Sequence, residues 1–254
     1  MKIIISPAKK MNTNTDLLQV RGFPVFLDKT EELKRRMQKL SLEEAMSLWK
    51  CSRKLAELNY KRFRHMDLRK NLTPSIISYE GIQYQYMAPS VMEEKQYDYL
   101  QEHLRILSGF YGILSPFDGV VPYRLEMQAK MELNGKRDLY GFWDESVYRE
   151  LTARDHVVLN LASKEYSKVV EPYLQKDDVF VTCIFGELLN GKIIQKGTMA
   201  KMARGEMVNF LSATGADALE DAKKFDRLGY RYREELSSGT EYVFIKDKTK
   251  ENEN

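Results

Sequence analysis

The side chains best suited to chemistry are dispersed. Ser6, Lys9, Tyr123, Arg124, Glu126, Asn160, Lys201 and Arg204 each stand at the edge of an apolar run or in a polar break within one. Brought together, they would line a basic cleft holding at least one carboxylate, able to bind an anion or to move a proton. Left apart, they would make ordinary ion pairs. His65, His103 and His156 have no His or Cys partner at ligand spacing, and Cys51 and Cys183 lie far apart in apolar contexts. These spacings argue against a zinc or dithiol site, and neither a metal ligand nor a cofactor is assigned. A carboxylate site for a hard cation would leave no such mark. No G-x-S-x-G, Walker or G-x-G-x-x-G pattern occurs.

A denser stretch runs from Leu104 to Met127. It continues an amphipathic pattern, with Tyr97, Leu100, Leu104 and Leu107 on one helical face, and then breaks at Gly109 and Gly112 and again at Pro116 and Gly119. Two glycines after a helix let the backbone pass close to a phosphate, a ligand or another element. Leu107–Leu114 therefore resembles a helix-hairpin-helix turn, whose backbone N–H groups face a DNA phosphate, with Arg105, Ser108 and Tyr111 placed beside Gly109 and Gly112. Two residues separate these glycines, where the usual motif has one. A helix–helix turn with a glycine C-cap accounts for the same residues.

The elements that must position these groups alternate irregularly. Lys2–Ile5 reads as a buried strand stopped by Ser6-Pro7, with Lys9 and Lys10 in the loop that follows. Asp28 and Ser41 each open a capping-box pattern. The helix begun at Ser41 carries Leu48, Cys51, Leu55 and Leu58 along one stripe, and Lys50, Arg53, Lys54, Lys61 and Arg62 on a face that usually serves as solvated surface. Ser75–Tyr79 reads as a strand. His156–Ala162 reads as a strand buried on both faces, typical of parallel sheets, and Ser163 opens a short helix. Asp178–Phe185 is a further strand. Asn190-Gly191 marks a hairpin, Thr198 starts a helix, and Tyr230–Glu234 with Tyr242–Ile245 forms a C-terminal hairpin. The charged tail from 246 to 254 is expected to fray.

No linker or repeat divides the 254 residues. One domain over 1–254, of α+β or mixed α/β class, with a mixed β-sheet, flanking helices and a helix-hairpin-helix-like element, is the economical reading. With 43% hydrophobic and 30% charged residues the chain can bury a core beneath a well-solvated surface. No apolar run approaches the ~18 residues of a membrane span, and Met1–Ser6 is too short for a signal peptide, so the cytoplasm is the expected location. A net charge of +3 holds nucleic acid only if the cations gather on one face.

Six blocks carry a resemblance: Ile4–Lys9, Leu104–Leu114, Pro122–Met127, Leu139–Trp143, Asn160–Tyr166 and Ala203–Gly205. Together, and in this order, they resemble the YaaA peroxide-stress protein family. The resemblance implies a cytoplasmic bacterial protein that limits free intracellular iron under hydrogen peroxide stress and so protects DNA. It also implies a positively charged cleft, carried here by Ser6, Lys9, Arg124, Glu126, Asn160, Lys201 and Arg204. A helix-hairpin-helix-like element would bind double-stranded DNA without base readout. The rival reading is an enzyme acting on a small anionic metabolite, with Ser6, Lys9 and Arg124 as clamp and Glu126 as acid or base. A third is an iron binder built from carboxylates. No membrane partner is expected.

Overall fold

The computed structural model describes residues 1–13 and 17–247; the charged tail lies outside them from 248 onward. Eight strands form the main sheet: β1 (Lys2–Ile5), β2 (Leu104–Ser108), β3 (Gly112–Leu114), β4 (Val157–Leu161), β5 (Val179–Leu189), β6 (Lys192–Ile194), β7 (Tyr230–Tyr232) and β8 (Glu241–Lys246). Their order is β7-β8-β5-β4-β1-β2-β3, with β6 folded back on β5. The inner strands β2, β1, β4, β5 and β8 are mutually parallel, and β3, β7 and β6 are antiparallel additions. The sheet is mixed, as anticipated. Burial explains the arrangement: all four residues of β1 are inaccessible, which requires neighbours on both edges and cover on both faces. At the Asn190-Gly191 turn both residues have positive φ, +50° and +75°, which suits a tight hairpin between β5 and β6.

Among the helices that cover the sheet are α1 (Leu27–Gln38), α2 (Leu42–Trp49), α3 (Arg53–His65), α4 (Ile82–Met87), α5 (Glu94–His103), α6 (Leu139–Trp143), α7 (Lys164–Ser167) and α8 (Gly197–Thr214). One continuous apolar core joins them to the sheet. None of the described helices is long and apolar enough to cross a membrane.

Four local expectations are corrected. The helix read through Leu107 ends at His103, because Leu104–Ile106 pairs in register with Ile3–Ile5 and finds a better place in the sheet. Ser75–Ser78 is a buried helical turn and not a strand; the Ser75 hydroxyl donates to the carbonyls of Ser115 and Pro116, which holds the turn against that loop. The long helix read from Ser41 is two helices, α2 and α3, separated at Lys50 in the left-handed region (φ +45°). Leu55 and Leu58 are consequently exposed and not part of a core stripe. The box at Ser41 forms with Glu44, whereas α1 starts without a side-chain cap.

Candidate functional site

Leu107–Leu114 is the turn of a β-hairpin between β2 and β3, so no helix-hairpin-helix element resides there. Ser108 is fully buried, and its Oγ accepts the backbone N–H groups of Phe110 and Tyr111, at 3.2 and 2.9 Å, closing the turn. Tyr111 is buried and accepts the Val121 N–H on its hydroxyl. Arg105 turns back to cap the end of α5, donating to the carbonyls of Gln101 and Leu104. The bonds of these groups are made within the chain. The glycines serve a close approach within the chain. A Cβ on Gly109 would stand 2.5 Å from the Leu125 carbonyl oxygen, and one on Gly112 would strike the Trp143 ring. The Trp143 indole N–H donates to the Gly109 carbonyl at 3.1 Å.

By letting the chain at Leu125–Met127 lie across it, Gly109 positions Tyr123, Arg124 and Glu126. Tyr123 is buried in a hydroxyl chain, 2.6 Å from Ser108 Oγ and 2.9 Å from the Tyr79 hydroxyl; burial pushes its pKa up to about 12. Glu126 sits between two cations, with Oε2 2.8 Å from Lys9 Nζ and Oε1 3.2 Å from Arg124 Nη2. Lys9, Arg124 and Glu126 are therefore brought together. Glu165, at the start of α7, joins them: one oxygen accepts the Gln128 N–H, and burial, reinforced by the Glu126 charge, raises its pKa.

Other predicted members serve the sheet edge. Ser6 Oγ accepts the Ser163 N–H at 2.8 Å, and the Ser6 carbonyl accepts the Tyr84 hydroxyl, latching β1 to α7 and α4. Asn160 is buried and commits its amide to Thr182 Oγ1 and the Ala162 N–H. Among the described residues no hydrogen bond or ion pair ties Lys201 or Arg204 to the Lys9–Glu126–Arg124 group. They stand one turn apart on α8, whose Gly205 packs against α4 at Gln83 and Met87. Arg204 lies near the buried Cys183 thiol; burial lowers its pKa, and its Nε has no hydrogen-bond partner.

The helical hairpin that does exist is α2–α3, joined by Lys50-Cys51-Ser52. The first three N–H groups of α3 have no partner within a helix, Ser52 makes no capping bond, and the first turn holds no acidic residue. It holds Arg53 and Lys54 instead, both exposed and next to exposed Lys50. Arg53 also pairs with Glu57 at 3.0 Å. A helix start attracts negative charge, and here cations stand where acids are customary. The sequence carried a usable signal, a Ser N-cap followed by bases where acids are customary, but reading 41–62 as one helix hid the second start. Beside the hairpin, a cleft of about 710 Å³ lies between α2 and the irregular segment 126–132, with Lys9 and Glu126 in its wall. Among the described residues no group of three or more His, Cys, Asp or Glu is placed to hold a metal ion.

The comparisons with known proteins agree with one another. The chain is 54% identical over 246 residues to a UPF0246 protein of Desulfitobacterium hafniense, covering 97% of this chain and 98% of that one. A UPF0246 protein of Pediococcus pentosaceus is likewise 54% identical over 247 residues, with 97% and 98% covered. The corresponding protein of Lactiplantibacillus plantarum is 47% identical over 245 residues, covering 96% and 99%. A family model described as peroxide stress protein YaaA matches residues 1–236, and with that match covering every strand of the sheet but β8, the hairpin α2–α3 and the Lys9–Glu126–Arg124 group, the chain belongs to the YaaA family of peroxide stress proteins.

Proposed function

We propose that this protein acts in peroxide stress by holding double-stranded DNA through its phosphates, without reading bases. The observation that carries the reading is the start of α3, where unbonded N–H groups, the free Ser52 hydroxyl, Arg53 and Lys54 meet Lys50 of the turn. Backbone N–H groups and cations together make a seat for an anion of any sequence context. The interface thus lies on α2–α3, and the glycine stretch supplies the frame beneath the neighbouring cleft. The family to which the chain belongs supplies the peroxide-stress role. The accompanying reduction of free iron belongs to this proposal as a consequence in the cell, and no iron site is assigned to the chain.

Fluorescence anisotropy with a labelled duplex, titrated at several salt concentrations, tests the reading. The logarithm of affinity falls with the logarithm of salt, by about 0.9 for each phosphate neutralised. Lys50→Glu with Lys54→Glu should weaken binding more than about tenfold near 0.1 M salt and flatten the slope by about 2. Folded variants with unchanged affinity and slope would sink the assignment.

The carboxylates support a second reading, turnover of a small anionic metabolite. Glu165 has a raised pKa beside Glu126, and Lys9 bridges toward the cleft, an arrangement suited to proton transfer. Under it, a screen of phosphorylated and carboxylated metabolites should reveal a reaction that Glu126→Gln abolishes. Under the DNA reading that substitution leaves duplex affinity intact or slightly raised.

A further inference from the structure

The cleft beside the hairpin shares Lys50 with the proposed phosphate seat, so a strand held at α3 passes its mouth. We infer that this cleft receives a single nucleotide swung out of the bound duplex; the inference rests on the DNA reading above. Its volume, about 710 Å³, falls within the range of small-molecule sites, roughly 300–1,000 Å³, and suits one nucleotide and not a base pair.

The chemistry of the walls fits a planar base joined to a phosphate. Half-buried Leu48 contributes apolar surface against which a base can lie, with the buried Trp49 and Met131 in the same wall. Trp49 is only 4% exposed, and its indole N–H has no hydrogen-bond partner. Such a donor is costly to bury unbonded, and an acceptor entering the cleft would relieve it. At the rim, Lys50 and Lys130 are exposed and make no ion pair or hydrogen bond through their side chains among the described residues. The lining carries four cations, Lys9, Arg36, Lys50 and Lys130, against three carboxylates, Glu44, Glu126 and Glu132, and Glu126 is also held by Arg124, so positive charge is left over for a phosphate. A nucleotide already unpaired costs least to extrude and should be preferred.

The test compares anisotropy titrations of a fully paired duplex and of the same duplex carrying one extra, unpaired nucleotide. The bulged duplex should bind about tenfold tighter. Gln128→Trp places a large ring in the cleft from an exposed position of its wall. It should erase that preference while paired-duplex affinity remains. Lys130→Glu, also exposed and outside the hairpin, should reduce the preference and so guards against local misfolding of the first variant. A nucleoside monophosphate added as competitor should lower bulged-duplex binding to the paired level. Equal binding of the two duplexes overturns the inference and leaves the DNA reading standing; binding of neither overturns both. If the monophosphate quenches tryptophan fluorescence while the duplexes bind equally, the cleft takes free nucleotide, and the strand-borne occupant is wrong.

Discussion

Replacing Gly109 by alanine tests the claim that the glycine stretch frames the site through a close approach within the chain. The added Cβ would stand 2.5 Å from the Leu125 carbonyl oxygen and 2.9 Å from the Glu126 carbonyl carbon. Ordinary contact begins near 3.4 Å, so the chain at 125–127 must retreat by about 0.9 Å. The obstacles are backbone atoms on both sides, and the turn is already closed by Ser108 and by the Trp143 bond to the Gly109 carbonyl. Overpacking of this kind costs about 2–3 kcal/mol. Urea denaturation followed by tryptophan fluorescence would measure it. Gly197→Ala is the control, because nothing lies within 4 Å of a Cβ there and alanine favours the helix; its stability should equal or exceed that of the parent by up to about 1 kcal/mol. The displacement should also loosen Glu126 from Lys9. If Gly109→Ala proves as stable as Gly197→Ala, the close-approach argument fails.

The ion-pair group and a half-buried carboxylate supply two further tests. Arg124 and Glu126 are 11% and 16% exposed and Lys9 is 64% exposed, so Glu126→Gln should cost about 1–3 kcal/mol by stranding Arg124. Lys9→Ala should cost less than about 1 kcal/mol, and the reverse ranking in urea denaturation would contradict the geometry. Burial pushes Asp118 up to about 6, against the Ser115 N–H and Arg105, which pull it down. The folded protein therefore binds the extra proton across roughly pH 4–6, and stability falls as pH rises through that window. Asp118→Asn removes this dependence and should gain roughly 1–3 kcal/mol relative to the parent between pH 4 and 7. A parallel pH profile for the two proteins would refute the assignment.

Sequence alone determined the parts whose cues are local. Apolar runs announced a buried strand at Lys2–Ile5 and a strand of parallel type at His156–Ala162. Asn190-Gly191 announced its hairpin, and six short blocks announced the family, because each preserves residue types in order along the chain. Tertiary structure decided everything that depends on partners distant in the chain. Leu104–Ser108 continues a helical pattern, yet it forms a strand, since Leu104–Ile106 pair with β1 and Ile106–Ser108 with β3, partners that a longer helix would lack. That switch buries Ser108, Tyr111 and both glycines. The helical hairpin then lies on α2–α3, where Lys50, in the left-handed region, ends α2 and the chain turns into α3 at Arg53. Only the folded chain shows that Lys9, Arg124 and Glu126 meet while Asn160 bonds within the sheet edge. Convergence of side chains more than a hundred positions apart is set by packing, and no spacing in the sequence encodes it.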